Sequence, residues 1–297
     1  MNLYEHKSSN IRKSWFLLTI FLVVIIGLGW IFAQAYNSPG ILYIAIIVSL
    51  VMNIFSYWLS DKIALAASGA KAVTREQEIA LYRTVENLSI TAGLPMPRLY
   101  VIESSQINAF ATGRDAEHAA VAVTRGALTK LENEELEGVI AHELSHIGNR
   151  DILISSIVVV LAGAIAIMSD IFLRMSRWGL RGSDDNNRGN LIMLIAGIAL
   201  AILAPIAATI IQLAISRQRE YLADTSGALL TRYPDGLANA LEKIAQDEMP
   251  LKTARNSTAH LFISNPFRGK ERSSFLTRLF MTHPPIQDRI AKLRGLK

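Results

Sequence analysis

The sequence predicts an α+β membrane protein: four transmembrane helices in two hairpins, carrying a mainly helical soluble domain with a small antiparallel sheet. Three observations lead there. Of the 297 residues 51% are hydrophobic and only 19% are charged, and the apolar residues gather in long runs. Four of these runs, roughly Trp15–Tyr36, Ile41–Leu59, Ile152–Leu173 and Leu191–Ile215, match the ~20 apolar residues that a helix needs to cross a hydrocarbon core. The stretches around them are polar and punctuated by breakers, as soluble structure is.

In chain order this gives an N-terminal tail (1–14), a first hairpin (15–59), a soluble part (60–151), a second hairpin (152–215) and a second soluble part (216–297). Basic Lys7, Arg12 and Lys13 precede the first run, and Ala33-Gln34-Ala35 resembles a signal-peptidase site. The run is nevertheless longer than the roughly 7–15 apolar residues of a secretory signal, so it reads as a retained span. Asn37-Ser38-Pro39-Gly40 is a tight turn between the first two spans. Two complete hairpins return the chain to its starting side, so 60–151 and 216–297 can build one site. Lys62, Arg150, Arg217 and Arg219 flank the spans there, which makes that side cytoplasmic by the excess of Lys and Arg. Arg174, Arg177, Arg181 and Arg188 in the second hairpin's loop count against it. The net charge of +5 is scattered beside apolar runs with no basic block, which favours a lipid surface over nucleic acid as partner.

Within the first soluble part, Gln77–Ala92 reads as a helix and Arg98–Glu103 as a strand following Pro95-Met96-Pro97. Ile107–Thr112 and Ala119–Thr124 are two further strands, read as antiparallel. A helix follows with Asn133 at its N-cap, Glu134 and Glu135 in its first turn, and Leu136, Val139, Ile140 and Leu144 along one stripe.

That helix carries the chemistry. His142 and His146 lie about one turn apart and can share one metal ion, and Glu143 beside the first can serve as the catalytic carboxylate of an H-E-x-x-H site. With no cysteine in the chain, thiolate catalysis, disulfides and sulfur-ligated zinc are excluded. A catalytic zinc takes three protein ligands and keeps one open position. Asp151 follows closely but stands at the membrane entry, whereas Glu220 opens the second soluble part, so Glu220 is the expected third ligand. Asp224, one turn on, can orient a ligand histidine through its second ring nitrogen. His6, His118 and His260 have no partner at ligand spacing and read as ordinary surface or packing residues.

Together, His142-Glu143-Leu144-Ser145-His146, Glu220-x-x-x-Asp224, Asn108-Ala-Phe-Ala-Thr-Gly113, His260-Leu-Phe-Ile-Ser-Asn-Pro266 and Thr282-His-Pro-Pro285 resemble the HtpX-type membrane metalloproteases, and more distantly the CAAX prenyl proteases. The resemblance spans nearly the whole chain. It implies a zincin-like catalytic domain holding one Zn²⁺ per chain, with Glu220 as third ligand. It also implies that Asn108, Ala109 and Phe110 form a substrate-binding edge strand and that His283 and Arg289 face the transition state. By the same likeness the protein cleaves misfolded or damaged membrane proteins in a bacterial inner membrane. Alternatives are processing of one lipidated or membrane-bound substrate, and a noncatalytic zinc-stabilised scaffold. A transporter reading rests on Asn53, Asp170 and Gln212, but Asp170 stands four residues before Arg174, which an interfacial pair explains. A lid over the site is expected from Glu248–Phe275.

Overall fold

The computed structural model describes residues 3–35, 37–179, 217–251, 253–255, 257–267 and 284–296. Helices α1 (Leu3–Ala35) and α2 (Pro39–Trp58) form the first hairpin. Pro39 sits in the first turn of α2, where its missing N–H would have had no partner. Helix α1 begins well before its apolar run, so Lys7, Arg12 and Lys13 lie on the helix itself.

The soluble body then runs α3 (Ser60–Ala67), β1 (Ala70–Ala72), α4 (Ile79–Ala92), β2 (Arg98–Ile102), β3 (Ala109–Thr112), β4 (Ala120–Thr124), α5 (Arg125–Lys130) and α6 (Asn133–Gly148). It continues through α7 (Ile152–Gly179), α8 (Arg217–Thr231), α9 (Pro234–Gln246) and α10 (Ile286–Arg294).

Among the described residues α1 and α2 are long and apolar enough to span a membrane, and α7 contributes a third span in combination with α6, from which it turns by 86°. Leu136, Val139, Ile140 and Leu144 of α6 pack into the core of the soluble body, so its apolar stripe is spent on protein and not on lipid. The fourth expected run, 191–215, lies outside the described residues. One expectation is corrected: the sheet is mixed, not antiparallel throughout. Its order is β1-β2-β4-β3, with β2 parallel to β4 and the outer pairs antiparallel. After β2 the chain passes to the far edge as β3 and returns as β4 between them, so β4 runs with β2. All five residues of β4 are buried, as a central strand covered on both faces requires.

Alternation along the strands splits two cores. Leu99, Val101, Val121 and Val123 face α4 and α6, while Ile102, Phe110, Ala120 and Ala122 pack with Ala64, Val159 and Phe262. The sheet is thereby clamped between the zinc-motif helix and the base of the membrane helices.

Candidate active site

Helix α6 starts with Glu132, not Asn133, as its cap residue: the Glu132 N–H donates to the Glu135 carboxylate at 2.8 Å. Further along, the Nε2 atoms of His142 and His146 face each other at 3.1 Å. Glu220, on the first turn of α8, lies 3.9 Å from Nε2 of His142 and 3.8 Å from Nε2 of His146. The helices approach so closely because Gly227 has no side chain: a Cβ there would stand 2.9 Å from the backbone nitrogen of His142.

The other ring nitrogens meet carboxylates. Nδ1 of His146 donates to Asp151 at 3.0 Å. Nδ1 of His142 lies 2.9 Å from Asp224, an ion-pair distance that is off the N–H axis. With the protons on Nδ1, the two Nε2 lone pairs confront each other, and a cation between them relieves that conflict. Two imidazoles and one carboxylate are a donor set of catalytic zinc, and bonds of ~2.0 Å in a tetrahedral ion space its donors by roughly 3.3 Å. The residues therefore fit the metal.

The local field agrees. Burial lowers the His142 imidazole's affinity for a proton. At His146 burial acts the same way but is outweighed by Asp151, Glu220 and Glu143, which raise it to about 10, so the pocket demands positive charge. Burial, reinforced by Glu220, pushes the Glu143 carboxyl up to about 7, even though it also accepts a bond from the Ala111 backbone of β3.

Arg289 is fully buried behind the ligands. Its Nε and Nη2 donate to Asp224 at 2.9 and 2.7 Å, and its Nη1 to the Ile263 carbonyl at 3.1 Å. Its Nη2 also lies 3.4 Å from Nε2 of His142. Burial works against the Asp224 charge, but Arg289 and His142 overcome it and pull the carboxyl down to about 2.

The outer edge of β3 is occupied by the chain itself. The Ala109 N–H donates to its neighbour Asn108 Oδ1 at 3.1 Å, the Ala109 carbonyl accepts from Ile263 N–H at 3.0 Å, and Gly113 N–H donates to Ser156 at 3.1 Å. Asn108 Nδ2 ties the same segment down through the Ser264 carbonyl at 3.2 Å. The cavity over the ligands, bounded by Ala111, Glu143, Glu220, His260 and Ile263, holds only about 30 Å³, room for one or two water-sized bodies.

The profile described as Peptidase family M48 matches residues 74–297. This chain belongs to peptidase family M48. Its relatives include the Protease HtpX homolog of Thermoanaerobacter pseudethanolicus, 46% identical over 299 residues that cover 99% of this chain and 98% of that one. The Protease HtpX homolog of Pyrococcus furiosus is 49% identical over 283 residues, covering 94% of each. Among solved structures, the crystal structure of S. mikatae Ste24p is similar at a TM-score of 0.49 and 17% identity, over 98% of this chain and 67% of that one.

As an M48 member the chain is a membrane-bound zinc metallopeptidase whose metal site is His142, His146 and Glu220. Around that M48 site the structure gathers Glu143, Asp224 and Arg289, with Ala111 as the β3 residue lining the cavity, while Ala109 meets Ile263 further along the edge and Asn108 anchors the neighbouring segment. Phe110 points to the opposite sheet face, packing edge-on against Phe262 with ring centroids 5.1 Å apart. His283 and the end of the expected lid from 268 to 275 lie outside the described residues, while His260, Leu261 and Ile263 of that stretch line the cavity. Sequence reading missed two residues. His260 was expected to be an ordinary packing residue but lines the M48 cavity, its Nε2 3.0 Å from the Ser155 carbonyl. Asp151 was weighed only as a metal ligand and instead meets the back of His146; the turn at Arg150, with φ of 56°, swings it there.

Proposed function

We propose that this M48 peptidase is an endopeptidase of membrane-protein quality control, cleaving misfolded or damaged membrane proteins at the cytoplasmic face of a bacterial inner membrane. The observation that carries the reading is Glu143, buried beside the His142–His146–Glu220 triad and hydrogen-bonded to Ala111 of an edge strand, in a chain anchored by two apolar helices. Kinship with proteins named Protease HtpX homolog over nearly the full length supports the proteolytic part of the reading.

His142, His146 and Glu220 would hold a zinc ion, which when bound would supply Lewis acidity and make a water more acidic. Glu143 takes the proton of the attacking water on its carboxylate and returns it to the leaving amide nitrogen. Its place beside the triad suits it to both halves of that task. Asp224 and Asp151 hold the two imidazoles from behind. Arg289 keeps Asp224 ionised and in place, which supports a positioning part more than the transition-state contact expected of it; that contact is left to His283. An extended substrate pairs with the outer edge of β3, where backbone bonds give affinity with little side-chain selectivity. To do so it displaces Ile263 from the Ala109 carbonyl and draws Glu143 away from Ala111, since the closed cavity has no room for a peptide.

The test is purification with metal analysis, followed by cleavage of an unfolded protein with and without chelator. Glu143→Gln is expected to retain one zinc per chain and lose activity by about 10³-fold or more, through loss of general-base and acid transfer. Undiminished cleavage by the zinc-loaded variant would sink the assignment.

A further inference from the structure

Arg219 takes no part in the mechanism above, yet it is only 6% exposed, stands in the first turn of α8 and directly precedes the ligand Glu220. A buried guanidinium is costly unless carboxylates answer its charge. Asp151 and Glu220 are the two that do so, favouring the charged form against the burial that opposes it. Asp151 in turn needs a cation. Its Oδ2 accepts from Nδ1 of His146, while its Oδ1 is buried and accepts no hydrogen bond among the described residues.

The far side of the site is built in the same way. There Asp224 stands behind His142, and the buried Arg289 stands behind Asp224, with Glu220 3.7 Å from its Nη1. Each ligand histidine is thus backed by a carboxylate, each carboxylate by a buried arginine, and Glu220 lies in the field of both arginines. Arg289 is anchored by the Ile263 carbonyl. Arg219 is anchored by the first membrane helix: its Nη1 donates to Asn10 Oδ1 at 3.4 Å, and Asn10 Nδ2 donates to the Asn149 carbonyl at 3.3 Å. Asn10 opens the apolar span of α1, and Asn149 caps the C-terminal end of α6, three residues after His146 and two before Asp151. One side chain therefore ties α1 both to the arginine and to the end of the metal-binding helix.

We propose that Arg219 is a positioning residue of the metal centre. It holds Asp151 on His146 and Glu220 toward both histidines, and Asn10 holds it there, so that zinc affinity depends on how α1 is seated on the soluble body. The physical basis is that a carboxylate behind a ligand imidazole fixes the ring's orientation and tautomer only as well as the carboxylate is itself fixed. An arginine that merely flanked a span would keep its head among lipid headgroups; this one is buried against Asn10.

The experiment uses the full-length protein in detergent, loaded with zinc or with cobalt(II). It reads metal affinity by chelator competition, the cobalt absorption spectrum, and the melting temperature of the metal-free form. Arg219→Gln is expected to weaken zinc binding by about tenfold or more, as losing a partner behind a ligand does, and to shift the cobalt bands. Arg219→Lys restores the charge and is expected to bring back the wild-type spectrum, with affinity within about threefold of wild type. In an Asp151→Ala background Arg219→Gln costs less than about threefold, because the carboxylate it positions is gone. Asn10→Ala weakens zinc binding by about threefold or more while the metal-free protein stays folded. Wild-type zinc affinity and cobalt spectrum in Arg219→Gln, or an equal loss in both backgrounds, overturns the proposal and leaves Arg219 a residue of the fold alone. Should Arg219→Gln not fold, Asn10→Ala decides: zinc affinity equal to wild type overturns the proposal, and the weakened affinity supports it.

Discussion

Asp151 contacts no donor of the metal triad, yet it faces Nδ1 of His146 at 3.0 Å and so decides which ring nitrogen is left for zinc. Replacing it with alanine is expected to weaken zinc binding by about 10–100-fold, the usual cost of losing a partner behind a ligand histidine. Chelator competition measures this, and cleavage should return at raised zinc; a variant with wild-type zinc affinity would remove Asp151 from the site. Asp224 carries a pH signature. Its carboxyl is held at about 2 against an ordinary 3.8, so it stabilises the fold above the ordinary value, and that contribution is lost as pH falls through the folded one. In metal-free protein this pH-dependent part amounts to about 2 kcal/mol. Denaturation between pH 5 and pH 2 should show it in the wild type and not in Asp224→Asn, whose stability is lower throughout because Arg289 stays buried without its partner. The two ligand histidines were legible in the sequence because H-E-x-x-H places them on one turn, and Glu220 because it opens the second soluble part on the same side. Asp151 and His260 were not, because the first reaches the site through the backbone turn at Arg150 and the second through long-range packing of its segment.

At the scale of elements, the crossing of α8 on α6 makes the site. Gly227 lies against His142, and Gly138 similarly lets α9 approach, a Cβ there falling 2.5 Å from the Leu237 nitrogen. Gly227→Ala is therefore expected to push α8 outward, destabilise the fold by about 1–3 kcal/mol as overpacking does, and move Glu220 off the histidines. Thermal denaturation and zinc content read the two effects; unchanged zinc content would show that Glu220 follows α6 by other contacts. The α6 helix was readable from its apolar stripe, and β2, β3 and β4 from their apolar runs. Strand β1 was missed because Ala70–Ala72 is too short to carry a pattern. The parallel pairing of β2 with β4 was missed because strand order depends on where the chain travels between strands, which no local signal records.

For the whole molecule, metal and membrane set the behaviour. Chelation is expected to lower the melting temperature, since zinc at 1,000 times its dissociation constant stabilises the folded state by about 4 kcal/mol. A melting temperature indifferent to chelator would mean that the triad binds zinc weakly or not at all. The chain has no cysteine, so Ser38→Cys in the first turn gives a single thiol. With a cytoplasmic site it should react with membrane-impermeant reagent in intact cells, and labelling only after lysis would reverse the orientation. By itself the sequence determined what is local or compositional: membrane anchoring, the absence of sulfur chemistry, the zinc pair on one helical turn with Glu143 between. Tertiary structure alone decided that Asp151 backs His146, that β4 lies between β2 and β3, and that the edge of β3 is held closed by Ile263. The division has one physical cause. Helical periodicity brings neighbours in sequence to one face, whereas Glu220, Ile263 and Arg289 come to the histidine pair only when separate segments bury their apolar faces on α6 and the sheet.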